Sequence, residues 1–193
     1  CECRYAVIGA AFFCPSCGHN AADLVFSQTI TGIRQILDAL DAIRATVPDR
    51  DTAETTARLI TENGLQNAVT AFQRFAEALY GGCPSVETPR RNAFQNLSEG
   101  SELWFSATGK RYGDHLNRTE LNALARFFQQ RHLLAHTQGI VDADYINRTD
   151  DTTYRVGQRL VVRESTVRDG LALIEELATG MASDTPLTKE TET

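Results

Sequence analysis

Three residues that can handle protons and phosphate charge fall close together in the chain: Arg131, His132 and His136. Histidine titrates near neutral pH, so it can accept or donate a proton during catalysis. Arginine is always charged, and its forked guanidinium matches two oxygens of a phosphate. On a helix, His132 and His136 would be about one turn apart on the same face. The cluster therefore indicates chemistry on a phosphate ester, and this chemistry requires no metal.

Two other interpretations of these residues stay open. Cations near the C-terminal end of a helix interact favourably with the helix dipole, so the cluster could be a solvated helix end. Histidines four residues apart can also bind zinc. Leu133 follows His132, however, so the glutamate of an HExxH metalloprotease site is absent.

The surrounding sequence predicts a helix from Thr119 to about Gln138, with Asn117 or Thr119 as its cap and Gly139 at its end. Its apolar residues recur at helical spacing and would face a core. They are Leu121, Leu124, Phe127, Phe128, Leu134 and Ala135. The cluster would then lie on the last turns of an amphipathic helix.

These residues resemble the motif of the HEPN family, in which an arginine is followed by a polar residue and, a few residues later, by a histidine. Arg131, His132 and His136 fit that pattern, and the continuation Gly-Ile-Val-Asp-x-x-Tyr-Ile over 139–146 is similar to one bacterial branch. The resemblance covers about residues 23–179. It implies an antiparallel helical bundle and a homodimer whose two motifs face each other across a shared cleft.

The same resemblance implies a metal-independent endoribonuclease, acting on RNA in phage defence or in a toxin–antitoxin system. Arg131 would position the phosphate, His136 would act as general base or acid, and His132 would fill the polar position. The alternative is a non-catalytic HEPN-type module that binds a nucleotide, RNA or a partner protein. The intact motif favours the nuclease, whereas a net charge of −6 without an evident basic groove favours the module.

A second cluster lies at the start of the chain, where Cys1, Cys3, Cys14 and Cys17 form two pairs. A hairpin with its turn at Gly9-Ala10 would bring the pairs together, and four thiolates suit a structural Zn²⁺. Residues 1–20 resemble a zinc ribbon, and the metal would supply the stability that so short a segment lacks. A redox Cys-x-x-Cys site is the alternative, although no thioredoxin-like strand and helix surround it.

The remaining sequence predicts a mainly α protein in three parts: the ribbon (1–20), a HEPN-like helical domain (21–181) and a flexible tail (182–193). Asn63-Gly64 is expected to stop a helix, and residues 101–115 are expected to be irregular. The segment 152–162 has a β-like composition and predicts a short hairpin or extended arm before the last helix. The predicted helices cover residues 21–47, 51–63, 65–79, 92–97, 142–147 and 164–181.

Features of the whole sequence predict where the protein is located and whether it contacts a membrane. No apolar run approaches the roughly 20 residues that cross a bilayer, so no membrane partner is expected. No signal peptide is visible, which predicts a cytoplasmic protein. The chain begins with Cys1 and not with methionine, which leaves open a processed chain or a piece of a longer one. Among the 17 arginines, the Arg90-Arg91 pair is interpreted as a solvated charge pair rather than a phosphate contact.

Overall fold

The computed structural model describes residues 22–84 and 87–185. Within these ranges the chain is mainly helical, as predicted, and contains no β-strand. The predicted zinc ribbon and residues 186–193 of the predicted tail lie outside the described residues. The helices are α1 (Ala22–Asp38), α2 (Leu40–Thr46), α3 (Arg50–Gly81), α4 (Leu97–Thr108), α5 (Arg118–His136), α6 (Ala143–Thr149) and α7 (Glu164–Asp184), with 3₁₀ turns at Ala93–Gln95 and Tyr112–Asp114.

Helix α3 lies at the centre of the bundle and packs against α1, α2, α5 and α7. Its buried Phe72 meets Phe128 of α5 and Tyr112 edge-on, with ring centroids 5.8 and 6.3 Å away. Phe75 stacks on Phe26 of α1 at 4.8 Å. Burial of these rings supplies a large share of the hydrophobic stabilisation and fixes α5 against α3.

The predicted stop at Asn63-Gly64 is wrong, because α3 runs through it without a break. A β-carbon on Gly64 would lie 3.2 Å from Ile33 Cγ2 of α1 and 3.8 Å from Val167 Cγ1 of α7. The glycine therefore serves close packing of three helices, not a turn. The helix begins where Asp49 accepts a hydrogen bond from the Thr52 amide, at 2.7 Å.

Residues 101–115 are also more regular than expected. Helix α4 begins at Leu97, where Asn96 accepts hydrogen bonds from the Ser98 and Glu99 amides. The indole of Trp104 is buried and donates to Asp184 Oδ2 at 2.9 Å. Helix α7 continues to Asp184 and does not end at Met181 as predicted, and this contact ties its last residue to α4. The single helix predicted for residues 21–47 is instead two helices, because Ala39 separates α1 from α2.

The predicted β-like hairpin at 152–162 is not formed. The segment makes a single antiparallel bridge, between Ile140 and Arg159, and Gly157 turns the chain at φ 89°. Leu160 and Val162 pack into the bundle core, whereas Val156 and Val161 are exposed to solvent. Because the Leu160 amide donates to the Gly139 carbonyl at 2.8 Å, the segment holds the end of α5 in place.

No helix in the described part of the chain is long and apolar enough to cross a membrane.

Candidate functional site

Helix α5 carries the three motif residues on its last two turns. It begins with a capping box in which Asn117 Oδ1 accepts from the Thr119 and Glu120 amides, and Glu120 Oε2 accepts from the Asn117 amide at 2.8 Å. The predicted Asn117 cap is therefore confirmed. The helix ends at His136, after which Gln138 and Gly139 take positive φ angles of 56° and 79°.

Arg131, His132 and His136 line the same open groove of about 490 Å³. Helix α5 forms one wall, and residues 90–98 form the facing wall around the first 3₁₀ turn. Arg148 reaches the groove from α6, and Val69, Ala125 and Phe128 supply apolar surface beneath it. The remaining lining residues are Arg90, Arg91, Asn92, Gln95, Asn96, Leu97, Ser98 and Gln129.

The two imidazoles are exposed and close together. Their ring centroids lie 4.6 Å apart with the planes tilted by 48°. Partial burial lowers the pKa of His132 below its ordinary value. The positive charges of His136, Arg148 and Arg131 lower this pKa further, whereas the negative charge of Asp142 raises it. His132 is therefore mainly neutral at neutral pH, as a proton acceptor must be.

The Arg131 guanidinium lines the groove and is held by a neutral amide side chain. Its Nη1 donates to Gln95 Oε1 at 3.1 Å, and its Nε is buried without a hydrogen bond among the described residues. No carboxylate within residues 22–84 and 87–185 forms an ion pair with it, whereas Arg90 is paired with Glu99 at 2.6 Å. The charge of Arg131 is therefore available to an anion.

The groove as a whole is basic although the chain carries a net charge of −6. Of the described residues that line it, four are arginines, two are histidines and none is Asp or Glu. Arg90 is neutralised by Glu99, whereas the exposed Arg148 has Asp144 at 3.9 Å as its acidic neighbour in the described ranges. This basic groove was not found from the sequence, where Arg90-Arg91 was interpreted as a solvated pair.

No pattern in the sequence indicates Arg148, Gln95 or Gln73, which complete the groove or support it. These residues come from three separate elements and meet only through the packing of the bundle. The one clue was the double arginine beside Pro89, which the notably acidic composition outweighed.

Among the described residues, no further side chain is placed to complete a zinc site with His132 and His136. No group of three or more His, Cys, Asp or Glu side chains able to hold a metal occurs there. The four cysteines assigned to zinc, Cys1, Cys3, Cys14 and Cys17, lie outside these ranges.

His115 belongs to a separate structural cluster. Its Nε2 lies 2.6 Å from Asp184 Oδ2, the oxygen that also accepts from Trp104. Its side chain is largely buried against Gly180, where a β-carbon would come within 2.4 Å of the ring. This histidine therefore fastens the end of α7 and takes no part in the groove.

Comparison with protein-family models, with curated proteins and with solved structures gives no match. Function is therefore inferred from the groove and from the resemblance of residues 131–146 to the HEPN motif.

Proposed function

We propose that this protein is a metal-independent endoribonuclease, acting in the cytoplasm in phage defence or in a toxin–antitoxin system. The observation that carries the proposal is the meeting of Arg131, His132 and His136 in one open, basic groove. Two proton-exchanging groups and one uncompensated cation are the set that cleavage of RNA by internal transfer needs.

In this reaction the ribose 2′-oxygen attacks the adjacent phosphorus, and the bond from phosphorus to the 5′-oxygen breaks. The products are a 2′,3′-cyclic phosphate and a 5′-hydroxyl. A neutral histidine accepts the proton of the 2′-hydroxyl, and a protonated histidine supplies one to the leaving 5′-oxygen. His132, with its lowered pKa, is suited to the first role, and His136 of the facing motif in the proposed homodimer would take the second.

Arg131 would bind the non-bridging phosphate oxygens, on which negative charge grows during the attack. A cation fixed at that point stabilises the transition state more than the ground state. The absence of an ion pair in the described structure favours this role over a structural one, because the recorded partner of Arg131 is the neutral amide of Gln95.

The groove also favours an unpaired stretch of RNA. A volume of about 490 Å³ lies in the range of small-ligand pockets and matches one or two nucleotides, not a duplex. Such single-stranded recognition is the common mode for RNA.

The resemblance adds two proposals that concern the whole assembly. The protein forms a homodimer in which the second motif faces the first across the cleft. Cys1, Cys3, Cys14 and Cys17 hold a structural Zn²⁺, and the ribbon they form serves folding or docking to a partner, not catalysis.

The second candidate function is a non-catalytic module that binds RNA, a nucleotide or a partner protein in the same groove. The observation that favours it is the position of the two histidine rings relative to each other. Both imidazoles stand on one helix face, so a single chain does not place them on opposite sides of a phosphate.

Incubation of the purified full chain with labelled single-stranded RNA in excess EDTA separates the two functions. The nuclease proposal expects cleavage by the wild type and loss of cleavage in His136→Ala. Binding of the RNA without cleavage supports the module instead.

A further inference from the structure

Arg131 is held by a chain of hydrogen bonds that reaches across the bundle to α3. Its Nη1 donates to Gln95 Oε1 at 3.1 Å. The Gln95 amide nitrogen in turn donates to Gln73 Oε1. Gln73 is buried, with 7% of its surface exposed, and its nitrogen donates to Glu77 Oε1 at 2.7 Å and to Asn92 Oδ1 at 3.1 Å.

Each amide in this chain has only one orientation that satisfies its neighbours. The nitrogen of Gln73 has two acceptors, so its oxygen must face Gln95. The nitrogen of Gln95 then points to Gln73, which leaves the oxygen of Gln95 for Arg131. All the dipoles align from the Arg131 cation to the Glu77 carboxylate, and such alignment strengthens each bond.

The chain fixes Arg131 without neutralising it. A carboxylate in direct contact would compete with a phosphate for the guanidinium, as Glu99 does at Arg90. A neutral amide oxygen occupies one of the five N–H donors of arginine; with Nε buried, the donors that stay open to a ligand are those of the two Nη atoms. Glu77 lies two amides away, so it can polarise the chain without occupying the groove.

We infer that Gln95 is the positioning residue for Arg131, and that Gln73 holds Gln95 in turn. The inference deepens the proposed function, since it rests on Arg131 binding the substrate phosphate. Gln95 acts through Arg131 and touches no reacting atom.

Binding of a fluorescent, single-stranded 2′-deoxy oligonucleotide tests this directly, because this strand cannot be cleaved by internal transfer. Gln95→Glu keeps the shape of the side chain but puts a carboxylate on Arg131, and it should weaken binding about tenfold, as expected when an unpaired cation becomes paired. Gln66→Glu adds the same charge on α3 outside the groove and should bind as the wild type does.

A double-mutant cycle separates positioning from general damage. Gln95→Met should weaken binding in the wild-type background and have no further effect in Arg131→Ala. Gln95→Asn keeps an amide and should recover part of the binding. Thermal unfolding of each variant identifies any that fails to fold, and Gln95→Glu, being nearly isosteric, provides the test in that case.

Either of two results in the variants would overturn the inference: wild-type binding by both Gln95→Glu and Gln95→Met, or a loss in Gln95→Met that persists undiminished in Arg131→Ala. A wild-type protein that fails to bind the strand also overturns it. If the cycle holds but wild type cleaves no RNA, Gln95 still positions Arg131 and only the nuclease proposal fails.

Discussion

The imidazoles of His132 and His136 lie 4.6 Å apart on the groove side of α5, so protonation of one opposes protonation of the other. Partial burial and the nearby positive charges, that of His136 among them, lower the pKa of His132, so His132 is mainly neutral near neutral pH.

The coupling predicts how a substitution changes the titration of His132. Its pKa should fall below the ordinary value of 6.5 in the wild type and rise in His136→Ala, because a nearby positive charge is removed. NMR titration of the ring protons measures both values. An unchanged His132 titration in the variant would show that the rings do not interact.

The same shift has a consequence for stability. The folded chain protonates His132 less readily than the unfolded chain does, so this group favours folding above the unfolded pKa. That contribution is lost as the pH falls through the folded value. Because the side chain is exposed, the effect should be small.

Substitution of Arg131 should separate cleavage from folding. Removal of one charged donor to a transition state typically lowers kcat by about 10²- to 10³-fold, and we expect a loss of this size in Arg131→Ala. Arg131→Lys should recover only part, since an ammonium group lacks the planar fork. Steady-state cleavage of a short single-stranded RNA measures the loss.

The matched control is Arg155→Ala, an exposed arginine outside the groove. It changes the net charge equally and should leave kcat and KM as they are. Equal losses in the two variants would mean that the groove attracts RNA only through overall charge.

Two helical glycines predict opposite changes in stability. A β-carbon on Gly170 would lie 2.4 Å from the buried ring of Phe127, so Gly170→Ala should destabilise the fold by about 1–3 kcal/mol. Gly32 meets nothing within 4 Å, and Gly32→Ala should stabilise α1 by about 0.5–1 kcal/mol. Urea unfolding compares them, and a stabilised Gly170→Ala would contradict the packing of α7 on α5.

The cysteine cluster predicts bound metal. Elemental analysis of the purified chain should find one zinc per chain, and Cys14→Ser should remove most of it. Cys83→Ser is the control, since this buried thiol lies at the end of α3 and donates to the Leu79 carbonyl. Full zinc content in Cys14→Ser would refute the ribbon.

Local pattern was enough to predict α5, its Asn117 cap and the presence of the three motif residues on one helix. It failed where a residue serves distant packing. The pair Asn63-Gly64 has the sequence of a helix stop signal, but Gly64 is the point at which α1 and α7 contact α3. The valines of 152–162 suggest strands, but the segment is irregular, and only Val162, together with Leu160, enters the core.

The groove itself could not be predicted for the same reason. Arg131 and Gln95 are 36 positions apart, and Gln73 lies 22 positions before Gln95. The spacing of residues within one helix carries no information on contacts between residues that are so far apart in the sequence. Composition was misleading as well, because a net charge of −6 conceals a local surface without acidic side chains.

The most direct measurement is the chemical identity of the ends produced from single-stranded RNA by the wild-type protein in EDTA. Mass spectrometry should find a 2′,3′-cyclic phosphate on one fragment and a 5′-hydroxyl on the other, and a 2′-deoxy substitution at the cleaved position should block the reaction. Uncut RNA, or fragments that carry a 5′-phosphate, would contradict the account.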